Sequence, residues 1–188
     1  MIPIGISEIL KAVDGTLLWG DENGVVTNVV TDSRKAGKGS LFVPIVGERV
    51  DAHRFIPQVM QAGAGVTFSS RKDVAPAASG CCIYVEDTLA ALQKAAAYYR
   101  SRFDIPVIGV TGSVGKTTTK EMISAVLEKK YRVVKTQGNW NSQIGVALMM
   151  FELEPETELA IFEMGMSLPG EMTRLVEIAK PQTAVMTN

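Results

Sequence analysis

The sequence predicts an α/β chain, with a small mixed α/β amino-terminal domain over residues 1–80 followed by a P-loop parallel-sheet domain over residues 81–188. Three observations predict it. The run Val110-Thr111-Gly112-Ser113-Val114-Gly115-Lys116-Thr117-Thr118 stands between a strand-like and a helix-like pattern. From Cys81 onward strand and helix patterns alternate, which gives a parallel sheet covered by helices on both faces. Ahead of that point the rhythm differs, and the stretch over 71–80, with Pro76 and several small residues, reads as a boundary loop.

In the first part the patterns predict a helix over 7–14, strands over 25–31 and 40–46, a helix over 55–62 and a strand over 65–69. The second part opens with a strand over 82–86. A helix from about 88 follows, whose Leu89, Leu92, Ala96, Tyr99 and Phe103 recur at helical spacing and form a core stripe. The run Ile105-Pro106-Val107-Ile108-Gly109-Val110 is short, β-branched and nearly continuous in apolarity, as a strand buried on both faces should be. A helix over 117–130 sets Met122, Ile123, Val126 and Leu127 on one apolar face. Then come a strand over 132–136, a helix over 141–151, a strand over 159–163, a helix over 169–179 and a strand over 183–187. Ser167 with Pro169 and Glu171 reads as helix-start chemistry, and Asn141 also suits an N-cap, with Trp140 over the turn.

Functional groups in such sheets gather at the carboxyl ends of the strands, and the distinctive residues fall there. Glycines bring the backbone N–H groups of Gly112, Ser113, Val114 and Gly115 close to phosphate oxygens, and the helix start adds positive potential. Lys116 can reach β- and γ-phosphates and the Thr117 hydroxyl can ligate Mg2+, so the loop reads as a cradle for ATP. One departure stands out: Val110 occupies the place where the general pattern has a glycine. Asn139 and Asn141 follow the strand over 132–136. Glu163 closes Leu159-Ala160-Ile161-Phe162, where a carboxylate can reach a nucleotide-bound magnesium or be only an exposed strand-end acid.

Composition narrows the classes. With 46% hydrophobic and 21% charged residues the chain can bury a real core. A net charge of −1, from 19 basic and 20 acidic residues with no basic run, gives no support to nucleic-acid or anionic-membrane binding. No apolar stretch approaches the roughly 20 residues of a membrane helix and no secretory pattern is evident, so membrane insertion is not expected and the expected location is cytoplasmic. The two cysteines, Cys81 and Cys82, are adjacent and read as buried thiols rather than a disulfide or metal pair. His53 is the single histidine, which excludes a multi-histidine metal site; it suits a structural hydrogen bond as well as a substrate contact.

Four blocks carry a resemblance. Thr111 through Glu121 looks like the ATP loop of the Mur ligases, which add amino acids to the peptide of bacterial cell-wall precursors. Thr31-Asp32-Ser33-Arg34, Gly39-Ser40-Leu41-Phe42-Val43, Gly47-Glu48-Arg49-Val50-Asp51-Ala52-His53 and Ala62-Gly63-Ala64 are similar to the family's UDP-sugar-binding amino-terminal domain. Gly138-Asn139-Trp140-Asn141-Ser142-Gln143-Ile144-Gly145, and Glu163-Met164-Gly165 through Glu171 to Thr187-Asn188, resemble the member that joins D-alanyl-D-alanine to UDP-N-acetylmuramoyl-tripeptide. Ser142 and Ala147 depart from the family, which has asparagine and proline there.

The resemblance implies an ATP-dependent ligase of peptidoglycan synthesis using ATP and Mg2+. Lys116 and Glu163 would be catalytic, Thr111 to Thr117 would hold the nucleotide, and Thr117 with Glu163 would hold the metal. Ser33, Arg34 and Arg49 would meet the UDP-sugar, and Asn139 and Asn141 the sugar or peptide. It implies that the second domain is truncated and a carboxyl-terminal domain absent, so that the 188-residue chain alone is expected to be inactive and prone to associate, whereas a full-length member would be monomeric. Three alternatives stay open: the preceding ligase of the pathway, which adds the third amino acid; a P-loop kinase or NTPase; and a nucleotide-binding module without turnover.

Overall fold

The computed structural model describes all 188 residues, and the chain divides into two compact units, Met1–Ala95 and Ala96–Asn188. The first unit begins with β1 (Ile4–Gly5), α1 (Ile6–Ala12), β2 (Thr16–Trp19), β3 (Val25–Val26), β4 (Asn28–Val30) and β5 (Ser40–Phe42). It continues through α2 (Ile56–Gln61), β6 (Val66–Ser69) and β7 (Cys81–Tyr84), and α3 (Thr88–Arg100) runs on from it into the second unit. Single 3₁₀ turns lie at Ser33–Lys35 and Ala52–Phe55, each started by an aspartate, Asp32 or Asp51, whose side chain accepts a backbone N–H two residues on.

The main sheet of this unit has the order β2-β7-β6-β5-β4, parallel except for the antiparallel β2–β7 pair. Val30, Phe42, Ile56, Val59 and Met60 form a core between sheet and α2. The predicted strand over 25–31 is divided: β3 pairs with β1, while β4 pairs with β5. The strand predicted over 40–46 ends at Phe42, ahead of Pro44, which cannot donate to a ladder.

The change of rhythm at Gly80 falls inside this unit. β7 lies between β2 and β6, so the small-residue stretch over 71–80 connects two neighbouring strands, and the compact units divide within α3 instead. Both cysteines of β7 are fully buried and free.

The second unit adds β8 (Val107–Thr111), α4 (Lys116–Leu127), β9 (Val133–Lys135), α5 (Gln143–Met150), β10 (Leu159–Glu163), α6 (Glu171–Ala179) and β11 (Thr183–Met186). Its sheet order is β11-β8-β10-β9 and every pairing is parallel, as the alternating pattern predicts. Val110, Leu159 and Ile161 form its core with Ile123, Leu127 and Val133 against them.

The apolar face expected on α4 is split. Ile123 and Leu127 face the sheet, but Met122 and Val126 are 67% and 71% exposed, and the buried positions are Lys120 and Ser124. Residues 120, 123, 124 and 127 follow i, i+3, i+4, i+7 spacing, so it is this stripe that faces inward. Buried Arg100 closes the end of α3: its guanidinium donates to the carbonyls of Phe103, Ile105 and Ala179 at 2.6, 3.1 and 3.1 Å.

Candidate functional site

The turn after β8 brings its chemistry to the carboxyl edge of the four-stranded sheet. Gly112 has φ +131° and Gly115 φ +87°, values that favour glycine, and Gly115 caps the start of α4. A Cβ on Gly112 would lie 2.2 Å from the Thr187 hydroxyl oxygen, so the missing side chain lets the turn close on the end of β11. Thr111 ends β8, and its carbonyl accepts the Thr187 N–H at 2.8 Å and hydroxyl at 3.0 Å.

Lys116 lies back over its own loop, donating to the carbonyls of Gly112 at 2.7 Å and Ser113 at 3.2 Å. The Val114 N–H, expected to face phosphate, donates to the Asn188 carbonyl at 2.6 Å, while the Val114 side chain is exposed.

Glu163, at the end of β10, is buried and joined on both oxygens. Thr117 donates its hydroxyl to Oε2 at 2.8 Å and Asn141 its amide to Oε1 at 2.8 Å. Of the two readings of Glu163, the exposed strand-end acid does not hold, because residues from α4 and the β9–α5 turn converge on it and bury it. The donor set suits a hard divalent cation. Hydroxyl and carboxylate oxygens are the ligands magnesium takes, and the Thr117 and Glu163 oxygens stand side by side, joined by a 2.8 Å hydrogen bond.

Asn141 belongs to this cluster, and the N-cap of α5 is Ser142 instead, whose hydroxyl accepts the Gly145 N–H at 3.3 Å. Asn139 is exposed in the preceding turn. Gly145 lets that turn pack close, since a Cβ there would lie 2.6 Å from Trp140 backbone atoms. The departure at Ala147 is a fully buried helix position. Ser167 is likewise not the cap of α6, which is Gly170; its backbone N–H and that of Leu168 donate to the Glu171 carboxylate at 2.6 and 3.1 Å. These bonds hold the Glu171 carboxyl below its ordinary range.

In the first unit, Ser33 and Arg34 lie in the 3₁₀ turn after β4. The Arg34 guanidinium is bidentate to Asp32, with contacts of 2.9 and 2.6 Å, and it lowers the Asp32 pKa to about 2. Arg49 is exposed in a short loop closed by the Gly47 N–H to the Val50 carbonyl at 3.0 Å. His53 is structural: its buried ring pairs Nδ1 with Asp51 at 2.6 Å, and Nε2 accepts the Ser70 N–H at 3.0 Å. That acceptor role requires a neutral ring with the proton on Nδ1. Arg71 pairs with the other Asp51 oxygen.

Two residues beside the Glu163 cluster escaped the sequence reading. Lys120 is 1% exposed and donates to the Thr136 carbonyl at 2.7 Å. The Thr136 hydroxyl in turn accepts the Glu163 N–H at 2.8 Å. The signal that could have found Lys120 is its place four residues after Lys116, one turn further along α4.

The family model for the Mur ligase middle domain matches residues 110–188, and that for the Mur ligase family catalytic domain matches residues 25–100. The chain belongs to the Mur ligase family. Among curated Mur ligases it is 44% identical, over its whole length, to the UDP-N-acetylmuramoyl-tripeptide–D-alanyl-D-alanine ligase of Bacillus subtilis, and 35% identical to that of Escherichia coli. It spans 41% and 40% of those two proteins. A crystal structure of the Mur ligase MurF from Acinetobacter baumannii matches 98% of the chain with a TM-score of 0.90 and 34% identity, the chain covering 40% of it. MurF ligase from Thermotoga maritima, solved in complex with ADP, matches 85% of the chain at a TM-score of 0.77 and 35% identity, with 36% of that structure covered.

Proposed function

We propose that this chain supplies the ATP-phosphate site and the UDP-sugar-binding unit of a ligase that joins D-alanyl-D-alanine to UDP-N-acetylmuramoyl-tripeptide. The observation that carries the reading is the convergence of Thr117, Glu163 and Asn141 beside the glycine loop and Lys116. The D-alanyl-D-alanine specificity is supported by the curated ligases that align with the whole chain.

In the reaction, a carboxylate oxygen at the end of the substrate peptide attacks the γ-phosphorus of ATP, and the bond to ADP breaks to leave an acyl phosphate. The amine of the dipeptide then attacks the acyl carbon; phosphate departs with the amine proton, and an amide remains. Lys116 swings from the Gly112 and Ser113 carbonyls to the β/γ-phosphate oxygens, and the N–H groups at the start of α4 meet the phosphates from the other side. Thr117 and Glu163 would hold magnesium, and Asn141 keeps the Glu163 carboxylate turned toward Thr117. When bound there, such an ion would supply positive charge against the phosphate oxygens. Ser33, Arg34 and Arg49 receive the UDP-sugar, and Asn139 faces the sugar or peptide.

Calorimetry with ATP and Mg2+ tests the reading. Lys116→Ala is expected to lose detectable nucleotide binding with an unchanged melting temperature, because Lys116 Nζ bonds only to carbonyls of its own loop. Unchanged ATP affinity in that variant overturns the phosphate-site assignment. UDP-N-acetylmuramoyl-tripeptide should also bind and shift the NMR signals of Ser33 and Arg34; no binding would favour a kinase or NTPase instead.

A further inference from the structure

We infer that Lys120 is a positioning residue for the metal-binding carboxylate, setting the place of Glu163 through Thr136. The inference rests on the reading of Thr117 and Glu163 as a magnesium site.

A lysine at 1% exposure is unusual, because burial strips its ammonium of water, and it persists only where good partners replace that water. Lys120 has two. Its Nζ donates to the Thr136 carbonyl at 2.7 Å and stands 3.0 Å from the Glu121 carboxylate. Glu121 also pairs with Lys135 at 2.8 Å, which anchors the group to β9. An apolar residue facing the sheet would satisfy packing, as Ile123 and Leu127 do on the same face. Besides its pairing with Glu121, the buried charge is directed at one backbone atom, the carbonyl of the residue that follows β9.

Thr136 connects this contact to the metal site. Its N–H donates to the Ile161 carbonyl at 3.0 Å, and its hydroxyl accepts the Glu163 N–H at 2.8 Å, so it grips β10 at both ends of a three-residue span. The Glu163 backbone is thus held on one side by Thr136 and on the other by its pairing with Val110 of β8, and its side chain is oriented by Thr117 and Asn141. Lys120 fixes the one group of Thr136 that β10 does not. Outer residues of this kind shift metal affinity by about 10- to 100-fold when removed, with the ligands themselves intact.

The test compares ADP affinity by calorimetry with Mg2+ present and with EDTA, in the purified wild-type chain, Lys120→Met and Thr136→Val. Methionine keeps the length and loses the donor; valine keeps the shape and loses the acceptor for the Glu163 N–H. Each variant is expected to retain the metal-free ADP affinity and to lose about tenfold of the Mg2+-dependent gain. The double variant should lose no more than the larger single loss, because both act on one chain of contacts. A wild-type gain that persists in both single variants overturns the role of Lys120. An equal fall with and without Mg2+ also overturns it, because the residue would then only support the loop. Absence of any Mg2+-dependent gain in the wild-type chain overturns instead the metal-site reading on which this inference stands. If Lys120→Met does not fold, Thr136→Val decides, since a Thr136 that does not govern the gain leaves Lys120 nothing to act through.

Discussion

Gly145→Ala sets two known effects against each other at one position. Gly145 is inside α5, where alanine is the better helix former by about 1 kcal/mol. A Cβ there, however, would stand 2.6 Å from the Trp140 Cα and carbonyl carbon and 2.7 Å from its oxygen. That is about 1 Å inside ordinary carbon contact, and the obstacle is backbone rather than a side chain that can rotate away. Overpacking of this kind costs about 1–3 kcal/mol, and rigid neighbours put it at the upper end. The clash wins by about 2 kcal/mol, which lowers the urea midpoint by roughly 1 M for a slope of about 2 kcal/mol/M. Trp140 itself reports the transition once Trp19, the other tryptophan, is replaced by phenylalanine. Because Asn141 follows the displaced residue, the Mg2+-dependent part of nucleotide affinity should fall as well. A midpoint equal to or above that of the parent chain would refute the packing argument.

Two further outcomes follow from titration and burial. Asp32 should titrate at about 2 rather than its ordinary 3.8, chiefly through the Arg34 side chain and then the Arg34 N–H. Its contribution to the local turn is present above the unfolded value and is lost as pH falls through the folded one; a carbon NMR titration with a midpoint near 4 would contradict the pairing. Burial pushes the Cys81 thiol up to about 11 and the Cys82 thiol to about 12, so neither should react with a disulfide reagent at pH 8 until urea unfolds the chain. Prompt reaction of the native protein would show that β7 opens.

The parallel sheet of the second unit was legible because its strands are apolar on both faces and its helices are long enough to show a period. β2 was not: four residues between two turns carry no periodicity, and its pairing with β7 depends on a partner more than sixty residues away. The rhythm change near Gly80 was visible, but composition cannot tell a loop between units from a loop between neighbouring strands. Glycine turns, Lys116, Thr117 and Glu163 stood out by residue type and order. Lys120 and Thr136 did not, because a buried lysine and a buried threonine at a site violate the polar-outside rule that pattern reading depends on. The same rule misassigned Met122 and Val126, which are exposed on the outer side of α4.

The folded-back Lys116 has a bearing on which anions the loop admits. Its two bonds to the Gly112 and Ser113 carbonyls involve a full charge, and such bonds contribute about 1.5–3 kcal/mol each. An incoming anion must break this latch before it gains the lysine. Inorganic phosphate or sulfate touches only a few loop groups and recovers little beyond what it displaces. A di- or triphosphate spans the whole turn and recovers much more. On the proposed phosphate-site assignment, the resting loop would thereby favour nucleotides over abundant small anions before any base or sugar is recognised.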